Sequence, residues 1–245
     1  MALTASLGRW QMQRAGEKLA RQAAMAEREA LPPLTNAALP CGAEAWVRQT
    51  HRRVTLSGRW LPEHTWLLDN RAMGGRAGFY VVTALQLDGV PCGAKSVLVQ
   101  RGWVPRNAQN RSQLPPFFTP SGPVIVSGRL LPEVSRSFSL GADLALATAS
   151  GPRIVQNVDF AALPAQVGGA VMAGAVLQTV PETAPSASQA SPEAGAFALL
   201  RDWPAPASDV GKHHAYAAQW FAMAATITGL YVWFQIVKPL RRRPR

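Results

Sequence analysis

Two histidines, His213 and His214, stand at the mouth of a long apolar run near the C-terminus. A neutral imidazole in that position can ligate the iron of a heme, or it can simply be a polar group at a membrane interface. The compact segment R-G-W-V-P at 101–105 is the second candidate. Gly102 allows close backbone approach, Trp103 is a large anchor, and Arg101 or Arg106 suits a carboxylate such as a porphyrin propionate. The plainer reading makes Trp103 a core residue at a strand end. The hydrolase elbow, the Gly-rich phosphate loop, zinc-ligand spacing and the dinucleotide fingerprint are all missing from the sequence. Asp202, before Trp-Pro, reads as a turn residue rather than a base. Cys41 and Cys92 lack C-x-x-C spacing and are either one disulfide or two free thiols.

These residues need elements to hold them. From Tyr216 to Val237 the only ionisable side chains are tyrosine phenols. At a rise of ~1.5 Å per residue this run spans roughly 30 Å, the thickness of a bilayer's hydrocarbon core. Tyr216 and Trp220 sit at one end and Tyr231 and Trp233 near the other, as an interfacial aromatic belt requires. A helix is expected over 10–30, where alanines and Leu19 recur at helical spacing, and Pro32 and Pro33 stop it. Strands follow at Val54–Leu61, Trp66–Asn70, Phe79–Leu87, Ser96–Val104 and Val124–Leu131. V-T-L-S-G-R-W-L-P-E at 54–63 repeats as V-I-V-S-G-R-L-L-P-E at 124–133. Glycine inside a strand marks a bend, so Gly58 and Gly128 point to a curved sheet or barrel with two similar parts. A strand at Arg153–Gln156, a short helix at Asn157–Leu163 and closing strands at Ala173–Val180 and Phe197–Trp203 complete the pattern. The Pro- and Ser-rich stretch at 181–195 reads as a flexible loop.

The formal net charge is +11, with Arg well ahead of Lys. Nucleic-acid binding does not explain it, because the charge is spread along the chain and its densest cluster follows the apolar run. Lys238, Arg241, Arg242, Arg243 and Arg245 read as a cytoplasmic tail by the positive-inside rule, which puts the body of the protein on the far side. The expected organisation is an α+β membrane protein. It has an N-terminal juxtamembrane helix at 1–33, a β-rich periplasmic domain at 34–210, a transmembrane helix at 211–237 and a basic tail at 238–245. Leu3–Leu7 is too short to span, so a translocated body implies an apolar helix upstream.

Three segments, L-G-R-W-Q-M-Q-R-A-G-E-K at 7–18, S-V-L-V-Q-R-G-W-V-P at 96–105 and G-K-H-H-A-Y-A-A-Q-W-F-A-M-A at 211–224, occur in one order along the chain. Together they resemble the Surfeit locus protein one family, the Surf-type assembly factors of cytochrome c oxidase. The resemblance implies a protein of the bacterial inner membrane with two membrane helices and a periplasmic loop domain. It implies a role in supplying heme a to oxidase subunit I, alongside heme a synthase, with no catalysis of its own. The alternative is a membrane scaffold for oxidase subunits or heme a synthase that does not touch heme. The family's C-terminal-helix histidine matches His213, and its R-G-W motif matches Gly102 and Trp103 with Arg101 beside them. His213 is thus the expected metal ligand, and Tyr216, Trp220, Arg101 and Trp103 complete the expected cofactor-binding set. The second iron ligand is unassigned; His51 and His64 lie in the strand region. The family's first span precedes the L-G-x-W-Q motif, where this sequence has only six residues.

Overall fold

A computed structural model describes residues 2–110, 113–137, 151–183, 197–204 and 210–241. The chain divides into two compact units, one formed by Glu27–Trp203 and the other by Met1–Ala26 with Pro204–Arg245.

The larger unit is built on six strands: β1 (Arg53–Met73), β2 (Arg76–Leu87), β3 (Ser96–Pro105), β4 (Pro123–Leu131), β5 (Arg153–Val155) and β6 (Val171–Gln178). Their order is β2-β3-β6-β4-β1-β5, and β2 also pairs with β1. Hydrogen bonding therefore runs in a closed circuit through β1, β2, β3, β6 and β4, and β5 extends the outer half of β1. The expected strands 54–61 and 66–70 are one strand. Pro62, which has no N–H to donate, falls where the β1–β2 register shifts between Leu61 and Thr65 rather than ending the strand. A second shift between Leu68 and Arg71 coincides with Asn70 at φ 59°.

The two repeat copies pair with each other. Val54 faces Gly128, Leu56 faces Val126 and Gly58 faces Val124, so β1 and β4 meet antiparallel about a local two-fold. Gly58 pairs with Leu87 of β2, and a Cβ there would collide with the Gln86 carbonyl. Gly128 pairs with Gln178 of β6, and a Cβ there would collide with the Leu177 carbonyl. In each copy the glycine thus lets the neighbouring strand's backbone close in at the same place.

β3 is buried on both faces. Val97 and Val99 join Leu56, Leu85, Val126 and Val176 in one apolar cluster, while Leu98 and Trp103 join Leu68, Val82 and Ala175 in another. The short helix α2 (Ala43–Arg48) drives Trp46 into the first cluster, where its indole donates to the Leu131 carbonyl at 2.7 Å. Cys41 and Cys92 form a disulfide, with Cα atoms 5.6 Å apart, that ties the α2 approach to the β2–β3 loop.

Two expected elements differ. The helix expected at Asn157–Leu163 begins where that range ends, as α3 (Leu163–Val167). Asn157 is instead buried as a hydrogen-bonding hub for Arg71 and the Ser137 backbone. Phe197–Trp203 is not a regular strand; it makes single bridges, Leu200 to Trp103 and Phe197 to Phe117. Most of the loop expected at 181–195 lies outside the described residues, but Thr183 bridges Ile125 and Glu182 is held inside.

Helix α1 runs over Ala2–Ala30, eight residues longer at its start than the spacing of its alanines predicts, and its part up to Ala26 belongs to the other unit. Helix α4 (Val210–Val232) continues through a π-helical turn at Trp233–Val237. Among the described residues, Val210–Arg241 is the helix long and apolar enough to cross a membrane. Its two threonines satisfy their hydroxyls internally, Thr226 on the Ala222 carbonyl at 2.9 Å and Thr228 on Ala224 at 2.8 Å.

Candidate functional site

The first site lies where α1 meets α4. Gly8, Gln11 and Ala15 recur at intervals of three and four on α1, and His213, Ala217 and Phe221 at intervals of four on α4, so each set shares one helix face. The Phe221 ring lies against Gly8, where an added Cβ would stand 2.7 Å from it. His213 Nδ1 lies 2.7 Å from Gln11 Oε1. Since Gly8 meets Phe221 and Gln11 meets His213, the helices run antiparallel here. Gly8, Ala15 and Ala217 are buried, and small residues of this kind let helix backbones approach closely.

The two histidines are separated by this packing. His213 is half-buried against α1, whereas His214 is exposed. Nε2 of His213 has no hydrogen-bond partner among the described residues, so it is the ring nitrogen left for a metal. Tyr216, one turn along from His213, is exposed, and Trp220, two turns along, is half-buried. An imidazole with an engaged Nδ1 and a bare Nε2 is the kind of donor a heme iron takes.

Arg101 and Trp103 belong to the larger unit, and neither is a surface group. Trp103 is buried and donates its indole N–H to the Arg71 carbonyl at 2.9 Å. Arg101 is fully buried, 0% exposed. Its guanidinium lies 4.4 Å from the centre of the Trp60 ring and donates to Thr119 Oγ1 at 2.7 Å, the Phe118 carbonyl at 3.1 Å and Glu182 Oε1 at 2.7 Å. The other Glu182 oxygen accepts from Arg201 at 3.0 Å and Gln178 Nε2 at 2.8 Å. Burial lowers the Arg101 pKa from the usual arginine value, and Glu182's attraction only partly offsets it. Burial pushes Glu182 up, but the Arg101 charge and the bonds it accepts outweigh this and hold it below the ordinary carboxylate value. The fork of Arg101 is thus spent inside the protein. Arg106, the other arginine suggested for a propionate, stands 3.8 Å from Asp69 and keeps part of its side chain in solvent.

Gly102 has the close approach its position implied. Leu199 and Leu200 lie against it, and Trp103 exchanges backbone hydrogen bonds with Leu200 at 2.7 and 2.9 Å. The R-G-W segment therefore clamps the chain that leads out of the β unit, and Trp203 completes the clamp by donating to the Gln178 carbonyl at 2.7 Å. Glu182 and Gln11 are the residues that reasoning from the sequence missed. Glu182 was hidden in a stretch whose composition looks like a solvated loop. Gln11 stands in the quoted L-G-R-W-Q motif, but its partner lies 202 positions away.

Comparison with known proteins gives one family. The model of the SURF1 family matches residues 1–225, nearly the whole chain and both units. Among curated proteins, none matches the chain.

Proposed function

Because the chain belongs to the SURF1 family, we propose that it holds heme a at His213 and hands it to subunit I of a heme-copper cytochrome c oxidase. The family is associated with cytochrome oxidase assembly, and its members are assembly factors rather than classical enzymes. The observation that carries the reading is His213 itself. It is half-buried at the head of the membrane-compatible helix, Nδ1 engaged and Nε2 without a partner among the described residues. Bound there, the group would supply an iron that accepts the Nε2 lone pair. Tyr216 and Trp220, along the same helix from His213, would supply aromatic contact to such a group. Heme a synthase is the donor in this scheme, subunit I the acceptor, and the bilayer the medium.

The same reading places the chain in the bacterial inner membrane, with the β unit in the periplasm and the basic tail in the cytoplasm. Two independent observations support that orientation. The basic cluster follows the span directly. The Cys41–Cys92 disulfide belongs to the β unit, and such bonds persist in oxidising compartments such as the periplasm.

The test is heme content. The full-length protein is co-expressed with the enzymes of heme a synthesis, and the bound heme spectrum is compared for wild type, His213→Ala and His214→Ala. His213→Ala should lose most of the heme and His214→Ala should retain it. Equal heme in wild type and His213→Ala would replace this reading with that of a scaffold binding oxidase subunits or heme a synthase.

A further inference from the structure

We infer that Gln11 is the positioning residue for His213: its side-chain carbonyl fixes the proton on Nδ1, orients the ring and so presents the Nε2 lone pair as the ligand atom. This deepens the heme reading and rests on it. The geometry is direct, with Oε1 of Gln11 at 2.7 Å from Nδ1. A carbonyl oxygen can only accept, so a neutral imidazole in this contact must carry its hydrogen on Nδ1 and leave Nε2 bare. A free imidazole side chain prefers the opposite tautomer, with the hydrogen on Nε2, which cannot ligate through that atom. The helix pair thus selects the less common form. The reversed amide would have the opposite consequence, since its NH2 would donate to Nδ1 and force the hydrogen onto Nε2. The two arrangements make opposite predictions for one observable.

The packing explains why Gln11 is held there. Gly8, one turn earlier on α1, has no side chain to hold the Phe221 ring away, and Ala15 and Ala217 are buried on the same two faces. The uncharged nature of the acceptor has its own consequence. Ligating histidines that donate to a carboxylate gain basicity and bind their metal more firmly. An amide acceptor orients the ring with much less of that gain. A residue that must release its heme is served by orientation without extra grip.

The experiment uses the full-length protein in detergent micelles, labelled with 15N-histidine. Long-range 1H–15N correlation spectra at alkaline pH read the tautomer of His213 before heme is added. Hemin titration then gives affinity, and a redox titration of the hemin complex gives the midpoint potential. Wild-type His213 should show the Nδ1–H form. Gln11→Leu should relax it toward Nε2–H and weaken hemin binding about 10-fold or more, the usual cost of losing such a partner. Gln11→Glu, which keeps an acceptor, should keep the Nδ1–H form, bind hemin at least as firmly as wild type and shift the midpoint potential negative. An Nε2–H signal for His213 in the wild type overturns the role of Gln11 whatever the heme data show. So does a Gln11→Leu protein with unchanged tautomer and affinity. If the tautomer is Nδ1–H and responds to Gln11, yet His213→Ala binds hemin as wild type does, the ligand reading fails, and the ligand-presenting role fails with it.

Discussion

Replacing Glu182 by Gln tests the buried ion cluster most severely, because the shape is kept and only the charge is lost. Arg101, with none of its surface in solvent, would keep two neutral acceptors, Thr119 and the Phe118 carbonyl, but no counter-charge. Arg201, 3.0 Å from the same carboxylate, would lose its counter-charge too and keep the Leu199 carbonyl. Breaking a buried pair in this way costs about 3–5 kcal/mol, against less than about 1 kcal/mol for an exposed pair. A domain of 150–250 residues loses roughly 2–4 °C of melting temperature per kcal/mol, so the transition should fall by on the order of 10 °C. The assay is thermal unfolding of the full-length protein in detergent, followed by near-ultraviolet circular dichroism. Trp60, under the guanidinium, and Trp103 provide the signal. The charge argument adds a second arm. Burial costs Arg101 more than Glu182 returns, so replacing the whole cluster, Arg101→Met with Glu182→Leu and Arg201→Met, should be much less harmful than Glu182→Gln alone. Acid should mimic the single variant. Glu182's folded pKa lies below its ordinary value, so its contribution is complete above the ordinary carboxylate range and is lost as pH falls through the lowered value. A Glu182→Gln protein that melts within a degree or two of wild type would refute the claim that this cluster needs its charge.

Three further outcomes follow from the larger unit. The disulfide closes a loop of 51 residues, so Cys41→Ala should lower stability by about 4 kcal/mol in the chain-entropy account, measured by denaturation against a Cys41→Ala/Cys92→Ala control of matching loss. Gly58→Ala and Gly128→Ala should each cost about 2 kcal/mol or more, since both meet a carbonyl of the adjacent strand, whereas Gly93→Ala, in open space, should leave the melting temperature unchanged. Unequal effects at Gly58 and Gly128 would remove the case for equivalent roles. Alkaline phosphatase fused within 184–195 should be active in cells; a silent fusion there, with an active cytoplasmic reporter at the same point, would overturn the proposed orientation.

The strands were legible where side-chain pattern and backbone need agree. Val54, Leu56 and the glycine at 58 announce a strand with a close approach, and their repetition at 124–128 announces a second strand of the same kind, although not that the copies pair with each other. Pro62 misled because a proline stops a strand only where its missing N–H is needed, and a register shift removes that need. The long apolar helix was readable from composition and length alone. The expectation of His213 rests on its place beside that apolar run, and its preference over His214 on the resemblance to the family's C-terminal-helix histidine. Gln11 and Glu182 were not readable as site residues, because their meaning lies in partners far along the chain. Glutamine has no propensity that marks it as an acceptor for a remote imidazole. A glutamate among Pro, Ser and Ala looks solvated until Arg101 is known to be buried opposite it.

The arginine excess has a structural use that net charge conceals. Arg71, nearly buried, donates to the carbonyls of Asp69, Ser135 and Gln156 and so pins three segments together at the outer end of β1. Arg28 donates to the Thr50 carbonyl, Arg52 to Pro32 and Arg53 to Leu31, which fastens the α1–β1 connection. Arg101 and Arg201 hold the exit segment through Glu182 and, for Arg201, the Leu199 carbonyl. Lysine is a poor substitute in these places, because its point charge cannot serve several diverging carbonyls in one plane and is more costly to strip of water. A loop-rich β unit whose connections are tied by planar cations accumulates positive charge with no anionic partner required. The preference for Arg over Lys then follows from how the connections are fastened, and only the cluster after α4 bears on the proposed membrane orientation.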